Sequence, residues 1–154
     1  MAVTHRVATA TTEAEEVLLD LVNAYEQAFD RAAESVGLSA AQACVLGRLS
    51  RSRSMGGLAV ELECDASNIT QIVRRLDGAG LTYREAAAED KRVRMVARTP
   101  KGDALDRDFG RAFSFAREAL ARLSDEEQGL LTALLRKALP PAGDPRPDSV
   151  MSRP

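Results

Sequence analysis

The sequence predicts a mainly α-helical protein carrying one small β-hairpin, and three observations predict it. Ala, Leu and Arg are abundant in a chain with only two Tyr, four Phe and no Trp, a mixture that favours helices packed through aliphatic stripes. Most segments space their apolar residues three and four apart between recognisable caps and stops. One stretch, 81–98, reads instead as two short strands around a charged turn.

The first helix is expected over 13–36, where Leu18, Leu21, Val22, Tyr25, Phe29, Ala32 and Val36 form one stripe that stops at Gly37. Ser39 with Gln42 makes a capping box ahead of Val45, Leu46 and Leu49, so a short second helix begins there. Ser50 to Gly57, with Arg51-Ser52-Arg53-Ser54 and Gly56-Gly57, reads as a turn restarting into a third helix at Leu58, Ala59 and Leu62. Asp65 is placed to cap a fourth helix by accepting from a free backbone N–H. Its apolar residues Ile69, Ile72, Val73 and Leu76 define one face; Ser67, Asn68, Thr70, Gln71, Arg74 and Arg75 lie on or beside the other. Gly78 and Gly80 end it. Strands over Leu81 to Arg84 and Val93 to Arg98 follow, joined by Glu85 to Arg92. Thr99 as N-cap and Pro100 at the first helical position open a long fifth helix striped by Leu105, Phe109, Phe113, Ala116, Leu120 and Leu123. A second capping box, Ser124 with Glu127, opens the last helix, which stops at Pro140-Pro141. A flexible leader over 1–12 and a disordered Pro-rich tail over 140–154 are expected at the ends.

At 154 residues, with 45% apolar and 29% charged, the chain fits one ordinary globular domain over 13–139 and neither collagen nor a disordered polymer. No stretch nears the roughly 18 uninterrupted apolar residues that a bilayer demands, and Met1 to Thr12 lacks the apolar core of a secretory signal. A cytoplasmic protein without membrane contact is expected. Cys44 and Cys64 have no metal-ligand spacing and the sole His5 lies in the leader, so no metal, cofactor or histidine base is expected. Phosphate loops and nucleophile elbows are missing too, which argues against an enzyme.

Net charge is −2, but residues 48–101 carry +4 and the remainder −6. The basic segment is the one holding the short helices and the hairpin. Two short helices joined at a tight turn can seat the second in a major groove, and a hairpin bearing Lys91, Arg92 and Arg94 can reach phosphates or the minor groove. An amphipathic helix has a polar face by default and a charged turn is usually only solvated; their coincidence in the basic segment favours DNA.

The stretch Leu38-Ser39-Ala40-Ala41-Gln42, then Leu58-Ala59, Asn68-Ile69-Thr70 through Leu76, Gly80-Leu81, Arg84, Asp90-Lys91-Arg92 and Thr99-Pro100-Lys101-Gly102 resembles the MarR family of winged helix-turn-helix transcriptional regulators. The match covers roughly 13–139, and its most specific part is Asp-x-Arg followed seven residues later by Thr-x-x-Gly. The resemblance implies a homodimer interlocked through its long N- and C-terminal helices (13–36 and 100–139) and a DNA-binding lobe at about 39–99. It implies Arg92 as the wing arginine, Asp90 as its orienting carboxylate, a pseudo-palindromic operator, and a small aromatic effector. Tyr25, Phe29 and Cys44 are candidate walls for that effector, although Tyr and Phe on a helical stripe are ordinarily core and both cysteines read as small buried hydrophobes. One departure is Arg98, where the family usually has an apolar residue; it is expected to snorkel or to pair with an acid. The expected function is a ligand-responsive repressor binding double-stranded DNA. The rival is a winged-helix module that binds protein.

Overall fold

A computed structural model describes residues 10–86 and 94–139. His5, the segment 87–93 with Asp90, Lys91 and Arg92, and the tail 140–154 lie outside the described residues. Among those described, the order is α1 (Glu13–Ser35), α2 (Ala40–Arg48), β1 (Arg53–Ser54), α3 (Met55–Glu61), α4 (Ala66–Gly78), β2 (Thr82–Ala86), β3 (Arg94–Arg98), α5 (Pro100–Ala112), α6 (Phe115–Leu120) and α7 (Asp125–Ala138). The chain divides into two compact units, Met1–Phe115 and Ala116–Pro154.

Caps set most of the helix starts. Reciprocal capping boxes close α1 (Thr12 with Glu15), α2 (Ser39 with Gln42) and α7 (Ser124 with Glu127), each satisfying backbone donors that the first turn leaves without an intrahelical partner. Glu15 also accepts from the Thr11 hydroxyl and backbone N–H, so the end of the expected leader belongs to the α1 cap. Asp65 occupies the N-cap of α4, but its side chain makes no cap hydrogen bond, contrary to expectation; its carbonyl accepts from Asn68 and Ile69 instead.

The core of the first unit is built from Leu46 and Leu49 of α2 and its end, Leu58 of α3, Ile69, Val73 and Leu76 of α4, and Val96 of β3. Helix α4 packs on both α2 and α3. The sheet has three strands in the order β1-β3-β2, all antiparallel, with Arg53 opposite Val96 and Thr82 opposite Arg98. The stretch expected to be a plain turn at 50–57 therefore contains an edge strand, and α3 starts at Met55 under a Ser54 cap that accepts from Gly57 N–H. Two residues cannot show an alternation. Their strand conformation comes from pairing with β3, a partner some forty residues away.

The expected single long fifth helix is broken after Ala112. On an uninterrupted helix, side chains two residues apart point about 200° apart, so Phe113 and Phe115 could not meet one ring. Here both rings stand edge-on to Tyr25, with centroids at 5.2 and 5.7 Å. Aromatic burial has outcompeted helix continuity across a Phe-Ser-Phe run of modest helix propensity. In the second unit, the Gln128 amide donates to the carbonyls of Leu120 and Leu123, closing the turn between α6 and α7.

Candidate nucleic-acid interface

Helix α4 turns Ile69, Ile72, Val73 and Leu76 inward, as their spacing predicts. Ser67, Asn68, Thr70, Gln71, Arg74 and Arg75 are all exposed. The Thr70 hydroxyl donates to the Ala66 carbonyl at 2.7 Å, which ties that side chain to its own helix. What remains outward is a set of amide, hydroxyl and guanidinium groups suited to base edges and phosphates.

Several polar contacts hold the end of α4 against its neighbours. The Asp77 carboxylate receives the Thr82 hydroxyl at 2.5 Å and Arg84 Nε at 2.9 Å, tying the last turn of α4 to β2. Gly80 has φ +70°, the left-handed conformation that glycine adopts without a Cβ penalty, and it reverses the chain between them. Lys101 Nζ donates to the Ala79 carbonyl at 2.8 Å, placing a cation at the negative end of α4. Thr99 accepts from Gly102 N–H at 3.0 Å and donates its hydroxyl to the Gly80 carbonyl at 2.7 Å. A Cβ on Gly102 would lie 2.1 Å from the Leu81 carbonyl oxygen, so only glycine fits. The Thr-x-x-Gly pattern thus has a structural cause: it docks the start of α5 onto the junction of α4 and β2.

On the sheet, Arg94 is exposed at the start of β3. Asp90, Lys91 and Arg92 lie outside the described residues. Residues that the sequence reading did not single out also shape this lobe. Glu61 of α3 pairs with Arg48 and Arg53, each at 3.5 Å, linking α2, β1 and α3. Asp77 and Thr82, together with Arg84 and Lys101, which the sequence reading named only for the family resemblance, fix α4 without belonging to its outward face.

The proposed effector walls fare differently. Tyr25 and Phe29 do come together, with ring centroids 6.3 Å apart, and Phe29 also meets Phe109 at 5.0 Å and Phe113 at 5.3 Å. Cys44 is exposed on α2 rather than a buried hydrophobe, because the α2 stripe turns Ala43, Val45 and Leu46 inward instead. Partial desolvation still pushes its thiol above the usual range, against the pull of Arg48, so it is poorly disposed to form a thiolate. Cys64 is half-buried and its thiol donates to the Leu62 carbonyl at 3.1 Å. An open cavity of about 530 Å³ lies at the α3–α4 turn, lined by Ala59, Val60, Glu63, Cys64, Asp65 and Asn68. Arg98 pairs with acids, as expected: its Nε lies 2.9 Å from Asp103, and its Nη1 pairs with Asp106. Among the described residues no helix is long and apolar enough to cross a membrane, and no group of three or more His, Cys, Asp or Glu could hold a metal ion.

No protein-family model matches the chain. A curated protein of Thauera aromatica, named as a transcriptional regulatory protein for the hcr operon, is 35% identical over 85 residues. That match takes in 54% of this chain and 51% of the relative, so the chain spans about half the length of that relative. A crystal structure from Pseudomonas aeruginosa, described as a transcriptional regulator, is 31% identical with a TM-score of 0.61, covering 80% of this chain and 94% of its own. Apo wild-type MarR from E. coli matches with a TM-score of 0.69 at 22% identity, over 85% of this chain and all of that one. A MarR mutant crystallised with operator DNA matches at 0.63 and 23%, over 81% and 92%. The likenesses to E. coli MarR are likenesses of fold.

Proposed function

We propose that the chain, which shares the fold of E. coli MarR and is 31% identical to a transcriptional regulator of Pseudomonas aeruginosa, is a MarR-type winged helix-turn-helix regulator that binds double-stranded DNA sequence-specifically as a homodimeric repressor answering to a small aromatic effector. The observation that carries this reading is the outward face of α4: six polar residues, all exposed, on a helix whose opposite face is locked into the core and whose end is tied to β2 and α5. In this reading Ser67, Asn68, Thr70, Gln71, Arg74 and Arg75 enter the major groove. Arg94, with Lys91 and Arg92, approaches phosphates and the minor groove, and Asp90 orients Arg92 by a charge-assisted hydrogen bond. The operator DNA in the E. coli MarR mutant complex supports the same use of the fold.

Assembly follows from apolar surface. Val17, Leu18, Leu21 and Val22 of α1, and Leu130, Leu134 and Leu135 of α7, stand exposed in the single chain. A second copy would cover such area, and in this reading 13–36 and 100–139 serve dimerisation and about 39–99 serves DNA binding. A two-fold protein calls for a pseudo-palindromic operator with half-site centres about one helical turn, roughly 10 bp, apart. Repression is the simpler sign of regulation, since blocking polymerase needs no further contact. The aromatic group around Tyr25 and Phe29, with Cys44 on α2, is the candidate effector region. DNA as target places the protein in the cytoplasm.

Selection of bound fragments from genomic DNA by the purified protein tests the class and yields the operator together. A palindromic consensus is expected, with affinity falling steeply as salt rises because phosphate contacts release counterions. Absence of enrichment, or binding indifferent to salt, would favour the protein-interaction module instead.

A further inference from the structure

Arg98 is the last residue of β3 and its side chain is only 11% exposed, a position where an apolar residue would pack without any electrostatic cost. Its Nε lies 2.9 Å from Asp103 and its Nη1 pairs with Asp106, two carboxylates one turn apart on α5. The Arg98 Cβ and the Leu81 carbonyl both close over Gly102, so the stem lies against the start of α5. Asp106 itself approaches α2: a Cβ on Gly47 would be 3.8 Å from its Oδ1. Across the sheet, Arg98 pairs with Thr82, the residue whose hydroxyl donates to Asp77 of α4. Ion pairing with two carboxylates one turn apart ties the buried guanidinium to α5 by charge, a tie that an aliphatic side chain cannot make.

We infer that Arg98 is a positioning residue for DNA binding, a charge clamp that orients the hairpin strands and the end of α4 relative to α5 without touching DNA. This deepens the DNA-binding reading above and rests on it. A buried ion pair adds little net stability compared with a hydrophobic replacement, so stability alone does not explain the choice of residue. The clamp acts where α5, the helix assigned to assembly, meets β3, the strand that begins with the exposed Arg94. Angular freedom at Arg98 becomes displacement at the far end of the strand.

The test turns on a sign. Removing an acid near DNA should tighten binding if only long-range electrostatics matter. The clamp predicts the reverse. Asp106→Ala and Arg98→Met are each expected to weaken operator binding about tenfold, the equivalent of about 1.4 kcal/mol. Arg98→Lys, which keeps the charge, should lose less. The salt slope should stay at the parent value, because no phosphate contact is removed. Hydrogen exchange of the amides in β2 and β3, measured without DNA, should accelerate in both variants. Tighter binding by Asp106→Ala, a reduced slope for Arg98→Met, or unchanged affinity in all three variants overturns the clamp. If Arg98→Met fails to fold, Asp103→Ala on the more exposed carboxylate reads the same effect. Should the parent recover no operator, the DNA-binding reading fails, and exchange alone judges the clamp: unaltered rates in β2 and β3 refute it.

Discussion

Ile69, Ile72, Val73 and Leu76 of α4 are at most 7% exposed, whereas Leu130 and Leu134 of α7 stand 61% and 64% exposed on a similar three- and four-residue spacing. Both stripes are legible in the sequence as amphipathic helices, and both helices form. The difference lies in what the chain supplies opposite each one. Helix α4 meets α2 and α3, and its stripe closes the core of its unit. Helix α7 keeps its leucines at the surface, where each is worth about 1.5–3 kcal/mol once something covers it. One stripe is invested in folding and leaves its polar face outward; the other stands uncovered in the single chain.

The largest expected effect breaks this comparison at its apolar faces. Leu76→Ala should cost about 2–5 kcal/mol, the range for a leucine truncated in a packed core. Urea denaturation should give that loss at any protein concentration. Leu134→Ala should instead lower stability in a concentration-dependent way and shift sedimentation toward monomer. A concentration-independent loss of similar size at both positions would mean that the two stripes do the same job.

Next in size is the polar face of α4. Gln71→Ala should forfeit about 1–3 kcal/mol of discrimination between the operator and random DNA while leaving non-specific binding nearly intact. Equal losses on both sequences would reduce Gln71 to an anchor. A smaller change is expected for Arg92→Ala: weaker operator binding and a salt slope reduced by about one for each lost phosphate contact, with dimerisation and helix content unchanged. If titrations at several salt concentrations match the parent, Arg92 is a solvated charge.

The smallest effect distinguishes the helix starts. Hydrogen bonds from Thr11, first through its hydroxyl and then its backbone, hold the Glu15 carboxyl below its usual range, and the Ser124 backbone N–H does the same for Glu127. A depressed carboxylate contributes stability above its ordinary pKa and loses it as pH falls through the lowered value. Acidification should therefore fray the first turns of α1 and α7. Helix α4, whose Asp65 makes no side-chain cap, should keep its start. Amide chemical shifts of Thr12, Ser124 and Asn68 followed through an acid titration would show this contrast, and a transition at Asn68 as large as at Ser124 would remove it.

Local chemistry in the sequence determined a good deal of this protein. The inward residues of α4, the boxes at Ser39 and Ser124, the Thr99-Pro100 start of α5 and the candidate reading face all follow from periodicity and from groups within a few residues of one another. Even there, Asp65 had the right identity for a side-chain cap and does not make one, since residue type offers a hydrogen bond but rotamer and surroundings choose it. Only tertiary structure decided the rest. β1 exists because β3 pairs with it, the break after α5 because Phe113 and Phe115 both turn onto Tyr25, and the exposure of Cys44 because α2 faces its core the other way. The Asp77–Thr82–Arg84 tie, the glycine beneath the Leu81 carbonyl and the Arg98 ion pairs with Asp103 and Asp106 belong to the same class. Periodicity reports which way a helix's own side chains point; which surface meets them depends on contacts between residues far apart in the chain, and those exist only once the elements have packed.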